Sequence, residues 1–214
     1  MSIKDNIEKI KKSLPSDIIL VAATKTRSVG EIKEAIKAGI EIIGENYVQD
    51  AEKKLVLKNK VKFHFIGHLQ KNKVKRAVEL FDMIETVDSA ETAKEIDKRC
   101  RAVNKIMPVL IEVNIGKEPS KFGCMPEDVE SLAKEIKFLP NLELKGLMAM
   151  TPLFDDTEKC RPYFKEMKKI FDDLKERYNL AILSMGMSSS YKIAVEEGAN
   201  MVRIGALIFD QRKQ

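Results

Sequence analysis

Paired or clustered cysteines are missing from this sequence. Only three of its 214 residues are cysteine, and Cys100, Cys124 and Cys160 lie far apart without a C-x-x-C arrangement. An odd number of scattered cysteines argues against a disulfide framework and against a zinc site. Reduced thiols in the cytoplasm are the simplest interpretation, so we expect a cytoplasmic protein.

Long apolar runs are missing as well. The amino terminus, MSIKDNIEKIKKSLPSD, is polar and amphipathic and has no continuous apolar segment of the kind found in signal peptides. No later stretch approaches the roughly 20 apolar residues that a membrane-spanning helix needs. We therefore expect a soluble protein that does not associate with a membrane.

Charge of one sign is not concentrated anywhere. The 38 basic and 33 acidic side chains leave a formal charge of +5, spread through helical-looking stretches. The densest basic run, KNKVKR at 71–76, has no aromatic neighbours on which bases could stack, which favours a solvated helix face. This balance weakly favours anionic ligands, and we expect no nucleic-acid partner.

What the chain does have is a regular alternation of apolar runs and charged helices. A hydrophobic content of 44% supports one large core, so we expect a single domain over residues 1–214. Ile3, Ile7 and Ile10 recur at helical spacing and predict an amino-terminal helix. Eight strand candidates follow, connected by seven helices: DIILVAAT, IEIIGE, VKFHFIG, MIETVDS, IMPVLIEVN, LELKGLMAM, AILSMGM and MVRIGALIF.

Strands that are apolar on both faces and separated by helices predict parallel pairing. Eight such units predict an α/β fold, a single (β/α)8 TIM-type barrel with an extra amino-terminal helix. An open, doubly wound sheet is the alternative. In a barrel, the carboxyl ends of all eight strands meet at one rim, where barrel enzymes place their active sites.

Lys25 ends the first apolar strand, in VAATKT. Its amine could be a solvated strand end, a phosphate contact or a nucleophile that forms a Schiff base. In a barrel it would lie near the GEN turn at 44–46 and the ends of the last two strands. An amine near apolar walls and other cations has its charged form disfavoured, so we expect a lowered pKa and a reactive lone pair.

The segment SMGMSSS, at 184–190, has the composition of a phosphate-binding loop. Gly186 allows close approach of the backbone, and Ser188 supplies a hydroxyl at the start of a helix. Gly205 offers a second close approach at the end of the neighbouring strand, and barrels often bind phosphate at these two loops. Simple capping of the helix by its serines is the alternative.

Arg203 lies inside the apolar segment MVRIGALIF, where an unpaired guanidinium would be costly to bury. It should therefore meet an anion or another hydrogen-bond acceptor. A structural ion pair across the barrel and a ligand contact are equally compatible with this position. Together with Lys25 and the phosphate-binding loop, it suggests a phosphate-bearing aldehyde such as pyridoxal phosphate.

Eight segments of the chain are recognisable together. VAATKT, GENYVQDAEKK, FHFIGHLQKNK, ETVDS, VNIGKEPSKFG, LKGLMAM, LSMGMSS and MVRIGALIF resemble, in this order, the pyridoxal phosphate homeostasis proteins, also called the YggS or PROSC family. That family is related in fold to the barrel domain of alanine racemase. The resemblance implies that Lys25 carries pyridoxal 5′-phosphate as a covalent aldimine, Asn46 approaches the ring, Ser188 and Gly205 hold the phosphate, and Arg203 faces the pyridine nitrogen.

One position departs from the family pattern. Many relatives have an aspartate where this chain has Ser190. If that aspartate caps the following helix, serine can replace it. If its charge matters, the loop of this chain differs from theirs.

The resemblance implies a carrier that buffers and supplies the cofactor to apo-enzymes, without a reaction of its own, as a monomer or weak dimer. An amino-acid racemase is the alternative, but it needs a base on each face of the substrate, and in alanine racemases one base is a tyrosine from a second domain. Only about ten residues follow Arg203 here, and we interpret Tyr47 and Tyr191 as packing or lining residues. A third candidate is a cofactor-free Schiff-base enzyme, or a barrel for another phosphate ester.

Overall fold

Eight parallel strands form a closed barrel in a computed structural model that describes residues 2–209. The strands follow one another around the barrel in chain order, and β8 pairs with β1 to close it. Their bounds are β1 Ile19–Ala23, β2 Ile42–Glu45, β3 Lys62–Phe65, β4 Met83–Val87, β5 Met107–Val113, β6 Leu142–Ala149, β7 Ile182–Ser184 and β8 Met201–Ile204. The predicted barrel is confirmed, and the open sheet is not the fold.

The helices surround the barrel. They are α1 Ile3–Ser13, α2 Val29–Lys37, α3 Val48–Glu52, α4 Val74–Leu80, α5 Ala90–Ala102, α6 Val129–Lys137, α7 Arg161–Tyr178, α8 Tyr191–Glu196 and α9 Ala206–Phe209. Short 3-10 turns occur at Leu55–Leu57, Lys71–Lys73, Pro126–Asp128 and Thr157–Cys160. In the described range 2–209, no helix combines the length and apolar character needed to cross a bilayer.

Local signals in the sequence set several helix ends. Ser28 begins α2 through a capping box with Glu31, in which each side chain accepts a backbone N–H of the other residue. Ser89 caps α5 by accepting from the N–H of Thr92. Gly39 follows α2 with a φ of +88°, a conformation that favours glycine. The chemistry of single residues therefore sets these helix boundaries.

The last strand is shorter than the sequence predicts. We expected a strand through MVRIGALIF, but β8 ends at Ile204. The following residues form the helix α9, in which Ile208 and Phe209 each donate a backbone hydrogen bond to the carbonyl of the preceding Gly205. A short apolar run is compatible with either a strand or a buried helix, because its period cannot distinguish them. Asn6 of α1 donates to the carbonyl of Ile208 at 3.1 Å, so tertiary contact supports the helix.

The barrel interior changes from apolar to polar along the strands. Met83, Leu110 and Met148, with Ile182, form an apolar cluster separate from the main core between strands and helices. Because side chains alternate along a strand, the residues two positions further share the same face. On β4, β5 and β7 those residues are Glu85, Glu112 and Ser184. A polar layer therefore lies above the apolar cluster, towards the rim.

Candidate functional site

Lys25 lies just beyond the carboxyl end of β1. Its side chain is exposed, and its Nζ lies 5.7 Å from the centroid of the Tyr47 ring. No carboxylate of residues 2–209 lies within 4.0 Å of this amine. The next residue, Thr26, has a φ of +63°, which is unusual for a β-branched residue and turns the chain sharply away from the strand. The expectation of apolar walls around Lys25 is wrong, because its side chain is exposed at the end of β1.

A buried cluster of Thr24, Glu45 and Lys54 connects the ends of β1 and β2, next to Lys25 and Asn46. Lys54 donates from Nζ to Glu45 Oε1 at 2.5 Å and to the carbonyl of Thr24 at 2.8 Å. The Thr24 hydroxyl also donates to Glu45 Oε1. Burial raises the pKa of Glu45, although the hydrogen bonds from Lys54 and Thr24 oppose it. This cluster joins the strands that present Lys25 and Asn46.

Asn46 follows β2 and is half-buried at the rim. The loop after β3 touches it closely, since a Cβ added to Gly67 would lie 2.2 Å from the carbonyl oxygen of Asn46. Only glycine fits this contact. The backbone of Asn46 is therefore held at the rim between two neighbouring strand ends.

The loops after β7 and β8 converge, as the sequence predicts. Gly186 has a φ of +91°, and a Cβ there would lie 2.5 Å from the Cβ of Ala194 in α8. Ser188 Oγ accepts from the N–H of Leu207 at 3.4 Å, which links this loop to the start of α9 beside Gly205. A Cβ on Gly205 would lie 3.0 Å from the carbonyl of Ala23 in β1. The structure thus brings Ser188, Gly205 and the end of β1 together.

Ser190 does not cap α8 with its side chain. Its hydroxyl is buried and accepts from the N–H of Met187 at 3.3 Å, three residues back. This contact closes the loop that Gly186 and Ser188 form. The serine that replaces the aspartate of many relatives therefore has a local structural role in the loop.

Arg203 belongs to a set of buried polar residues that we call the interior network, formed by His64, Glu85, Ser184 and Arg203. The guanidinium is 4% exposed. It donates to the Ser184 carbonyl at 3.0 Å, to Ser184 Oγ at 2.7 Å and to the Ala149 carbonyl at 3.0 Å. Ser184 Oγ in turn donates to Glu85 Oε2 at 2.9 Å. Arg203 therefore meets acceptors, as expected, but it reaches the carboxylate through a hydroxyl and not as a direct ion pair.

His64 completes the interior network from β3. Its Nδ1 lies 2.7 Å from Glu85 Oε1. Burial favours the protonated form of Glu85, but the hydrogen bond and charge of His64, with the charge of Arg203, hold the pKa of this carboxyl below its ordinary value. Burial lowers the pKa of Arg203, against the attraction of Glu85 and Glu112. His64 is therefore a buried strand residue with a specific partner.

A second feature, which we call the rim cavity, opens across the ends of β2, β3, β5 and β6. It has a volume of about 390 Å³. Its lining comprises Asn46, Tyr47, Val48, Gln49, Phe65, Ile66, Gly67, His68, Gln70, Lys73, Glu112, Phe122 and Met150. The rings of His68 and Phe122 stack at 3.6 Å between centroids, with planes 9° apart, and form one wall. This aromatic wall was not predicted from the sequence.

Glu112 is the buried acid of the rim cavity. It is 3% exposed, and its Oε2 has no hydrogen-bond partner among residues 2–209. Burial, together with the charge of Asp88, raises the pKa of Glu112 to about 7, and Arg203 opposes this. Burying a carboxylate without a hydrogen-bond partner costs free energy of folding. The stability of the fold therefore does not explain why this position holds a glutamate.

Sequence reasoning missed the three buried carboxylates of the barrel strands, although the signal was present. Glu45, Glu85 and Glu112 stand inside the apolar runs IIGEN, MIETV and LIEVN. The argument that singled out Arg203, a charge inside an apolar strand, applies equally to each of them.

The remaining predicted residues divide between structure and surface. The hydroxyl of Tyr191 lies 2.9 Å from Ser13 Oγ, so this tyrosine joins α8 to α1. Lys121 is exposed on the loop after β5. Within the described part of the chain, no group of three or more histidine, cysteine or acidic residues could hold a metal ion.

The chain is similar to known proteins over most of its length. The family model described as the alanine racemase N-terminal domain matches residues 1–212. The pyridoxal phosphate homeostasis protein of Aquifex aeolicus is 42% identical over 198 residues, covering 91% of this chain and 87% of that protein. The protein of the same name from Pasteurella multocida is 36% identical and covers 99% of this chain and 98% of that one.

Solved structures of similar proteins share the fold of this chain. PipY of Synechococcus elongatus superposes with a TM-score of 0.92 without PLP and 0.89 with PLP bound, at 31% and 30% identity, covering 97% of this chain and 100% of PipY. An alanine racemase of Clostridium difficile superposes with a TM-score of 0.86 at 19% identity. That match covers 100% of this chain and 60% of the racemase chain, and it shows a shared fold alone.

Proposed function

We propose a function that follows from family membership: the chain belongs to the pyridoxal phosphate homeostasis proteins, binds pyridoxal 5′-phosphate and serves the homeostasis of that cofactor. The finer assignment concerns the residues. Lys25 holds the cofactor as a Schiff base, Ser188 and Gly205 hold its phosphate, Asn46 approaches its ring, and Arg203 faces its pyridine nitrogen.

The observation that carries this proposal is the position of Lys25. It is an exposed amine, with no carboxylate partner among residues 2–209, at the carboxyl end of a barrel strand. An aldehyde that reaches it can form an imine. The convergence of Ser188 and Gly205 beside the end of β1 supports a phosphate site close to that amine.

The residues present fit the cofactor. When bound, pyridoxal phosphate supplies an aldehyde for the imine and a ring that can withdraw electrons. Arg203 keeps its proton at any ordinary pH, so a ring nitrogen facing it would stay unprotonated and the electron withdrawal would be weak. The interior network holds this arginine rigidly through Ser184 and Ala149. Such a site suits storage of the cofactor better than catalysis with it.

We propose a carrier that passes the cofactor to apo-enzymes and does not racemise amino acids. A racemase needs a second base opposite the lysine. Among the four tyrosines, Tyr191 contacts Ser13, Tyr163 stacks on Phe154, and Tyr178 lies beside Lys137. Tyr47, the remaining one, lines the rim cavity with its ring near Lys25. Because three of the four tyrosines are engaged in other contacts, the tyrosines give little support for a second catalytic base opposite Lys25.

Reduction with borohydride tests the role of Lys25. The purified protein, loaded with pyridoxal phosphate, should show a visible imine absorption, and borohydride should fix one cofactor on Lys25, detected by intact mass and peptide mapping. Lys25→Ala should abolish both signals, because Lys54, the other amine at the end of β1, is buried and paired with Glu45. Lys62→Ala, an exposed lysine at the opposite end of the barrel, is the matched control and should behave as the parent protein.

The same experiment separates the alternatives. A colourless parent protein that gains no mass would contradict cofactor binding and favour a cofactor-free Schiff-base enzyme. A normal absorption in Lys25→Ala would contradict the lysine assignment alone. Deuterium exchange at the α-carbon of several amino acids tests the carrier proposal, and substantial turnover by the loaded protein would favour a racemase.

A further inference from the structure

We propose that the rim cavity is a binding site for a primary alkylammonium ion, whose ammonium group pairs with Glu112 while its alkyl chain lies against the aromatic walls. This site needs no cofactor, so it goes beyond the proposed function. The shared residue is Asn46, which lines the rim cavity and is proposed to approach the cofactor ring.

The first argument is the unsatisfied carboxylate. Glu112 is 3% exposed, its Oε2 has no hydrogen-bond partner within residues 2–209, and the residue forms part of the cavity wall. Removing a carboxylate from water without a partner is costly, and a cation with N–H donors offsets that cost. The position therefore calls for a ligand that is both positively charged and a hydrogen-bond donor.

The second argument is that residues 2–209 supply no such partner. Arg203 acts on Glu112 electrostatically, but its hydrogen bonds go to Ser184 and Ala149. Asp88 adds a second negative charge nearby, and burial raises the pKa of the Cys124 thiol to about 12, so that thiol stays neutral. Lys73 is half-buried in the lining of the same cavity, where the structure gives it no contact with Glu112.

The third argument is the chemistry of the walls. Tyr47 is 54% exposed and Phe122 is 53% exposed, and both line the rim cavity with Met150. Aromatic faces attract ammonium groups, and apolar side chains accept an alkyl chain. A divalent metal ion is disfavoured, because it needs several oxygen ligands and no acidic or histidine cluster of that size occurs in residues 2–209.

A titration with hexylammonium chloride tests the proposal, with 1-hexanol as the uncharged probe. Both are followed by amide chemical shifts in the full-length Lys25→Ala variant, where the proposed Schiff base cannot form and amine exchange cannot confuse the result. Hexylammonium should shift the amide resonances of residues that line the cavity. Hexanol should bind at least about tenfold more weakly, a ratio that corresponds to about 1.4 kcal/mol of binding free energy. Equal binding of the two probes would overturn the role of charge.

Glu112→Gln, added to the same background, removes the charge with little change of shape. Hexylammonium should then bind about tenfold or more weakly, while hexanol should be unaffected. Glu143→Gln is the matched control, because Glu143 is an exposed carboxylate near the amino end of β6. Unchanged hexylammonium affinity in Glu112→Gln would overturn the proposal.

The pH dependence supplies a readout that does not depend on how a variant folds. Hexylammonium should bind more tightly at about pH 8 than at about pH 6, since Glu112 must lose its proton to pair with the ion. Lys73 and His68 also line the cavity, and His68 Nδ1 lies 3.6 Å from Asp88 Oδ2. The contribution of Glu112 is the part of the pH dependence that disappears in Glu112→Gln. Affinity that does not change with pH in the Lys25→Ala protein would overturn the assignment to Glu112.

Discussion

The interior network and the rim cavity place the same side chain in two different environments. Glu85 and Glu112 stand on neighbouring strands, each two residues beyond the apolar cluster inside the barrel, and their exposed fractions are 0% and 3%. Glu85 accepts from Ser184 and pairs with His64. Glu112 has no side-chain hydrogen bond with the described residues. Both carboxylates are therefore buried, and they differ in their hydrogen-bond partners.

The partners decide whether the pKa of each buried carboxyl is lowered or raised. Burial opposes ionisation at both sites, yet the pKa of Glu85 is lowered by His64 and Arg203, while the pKa of Glu112 is raised to about 7. Glu85 therefore contributes stability that is present above its unfolded pKa and lost as the pH falls through its folded value. Glu112 costs stability that grows as the pH rises from about 4.5 to about 7. A satisfied carboxylate belongs to the scaffold, and an unsatisfied one is available to a ligand.

Glu85→Ala should give the largest effect, because it breaks the interior network. Removing one member leaves His64 and Arg203 buried without their anion, and such losses cost about 3–5 kcal/mol in free energy of unfolding. For a chain of this size, that corresponds to a melting temperature lower by roughly 6–20 °C. Thermal unfolding followed by circular dichroism at about pH 7 measures it.

Glu143→Ala is the control for this change, since Glu143 is exposed and pairs with Lys145 at the surface. It should alter the melting temperature by no more than about 2 °C. If Glu85→Ala were equally mild, the network would contribute little to stability, and the contrast with Glu112 would disappear.

Glu112→Gln should have the opposite sign. A carboxyl group whose pKa is raised from 4.5 to about 7 costs up to about 3 kcal/mol when it is fully ionised. The neutral amide avoids this cost, so the variant should be more stable than the parent protein at about pH 8. Denaturant unfolding at two pH values gives the difference directly.

The measurement at about pH 5 is the internal control for Glu112→Gln. There Glu112 is largely protonated in the folded protein, so the gain should shrink to less than about 1 kcal/mol. A gain that did not change with pH would point to packing and not to charge. A loss of stability at about pH 8 would mean that Glu112 has a partner that offsets its burial.

The sequence predicted the scaffold of the site better than its electrostatics. Alternating apolar runs and helices predicted the closed barrel, and strand ends predicted the rim position of Lys25 and the converging loops of Gly186, Ser188 and Gly205. These signals are local, because strand period, helix caps and glycine conformations depend on nearby residues. The short strand β8 was mispredicted because Ala206–Phe209 form a helix that packs on α1, a contact distant in sequence.

The partners of the charged residues could not be predicted in this way. Arg203 and Glu85 are connected through Ser184, which lies 99 residues from Glu85. Which inward-facing side chains meet depends on the register of strands around the barrel, and a strand pattern alone does not fix that register. The positive φ of Thr26, next to Lys25, was not predicted either, because the sequence gives little signal for that conformation in a β-branched residue.

Ser184→Ala gives the smallest expected effect and examines how the interior network holds together. The hydroxyl accepts from Arg203 and donates to Glu85, so its loss leaves Glu85 Oε2 without a donor while His64 and the Ser184 carbonyl keep their contacts. We expect a loss of about 1–2 kcal/mol in free energy of unfolding, measured with denaturant at about pH 7. Ser189→Ala, an exposed serine after the same strand, is the matched control and should change stability by less than about 0.5 kcal/mol. If Ser184→Ala lost as much stability as Glu85→Ala, the hydroxyl, and not the pairing of His64 with Glu85, would hold the network together. If it lost none, Arg203 and Glu85 would attract each other sufficiently without the hydroxyl.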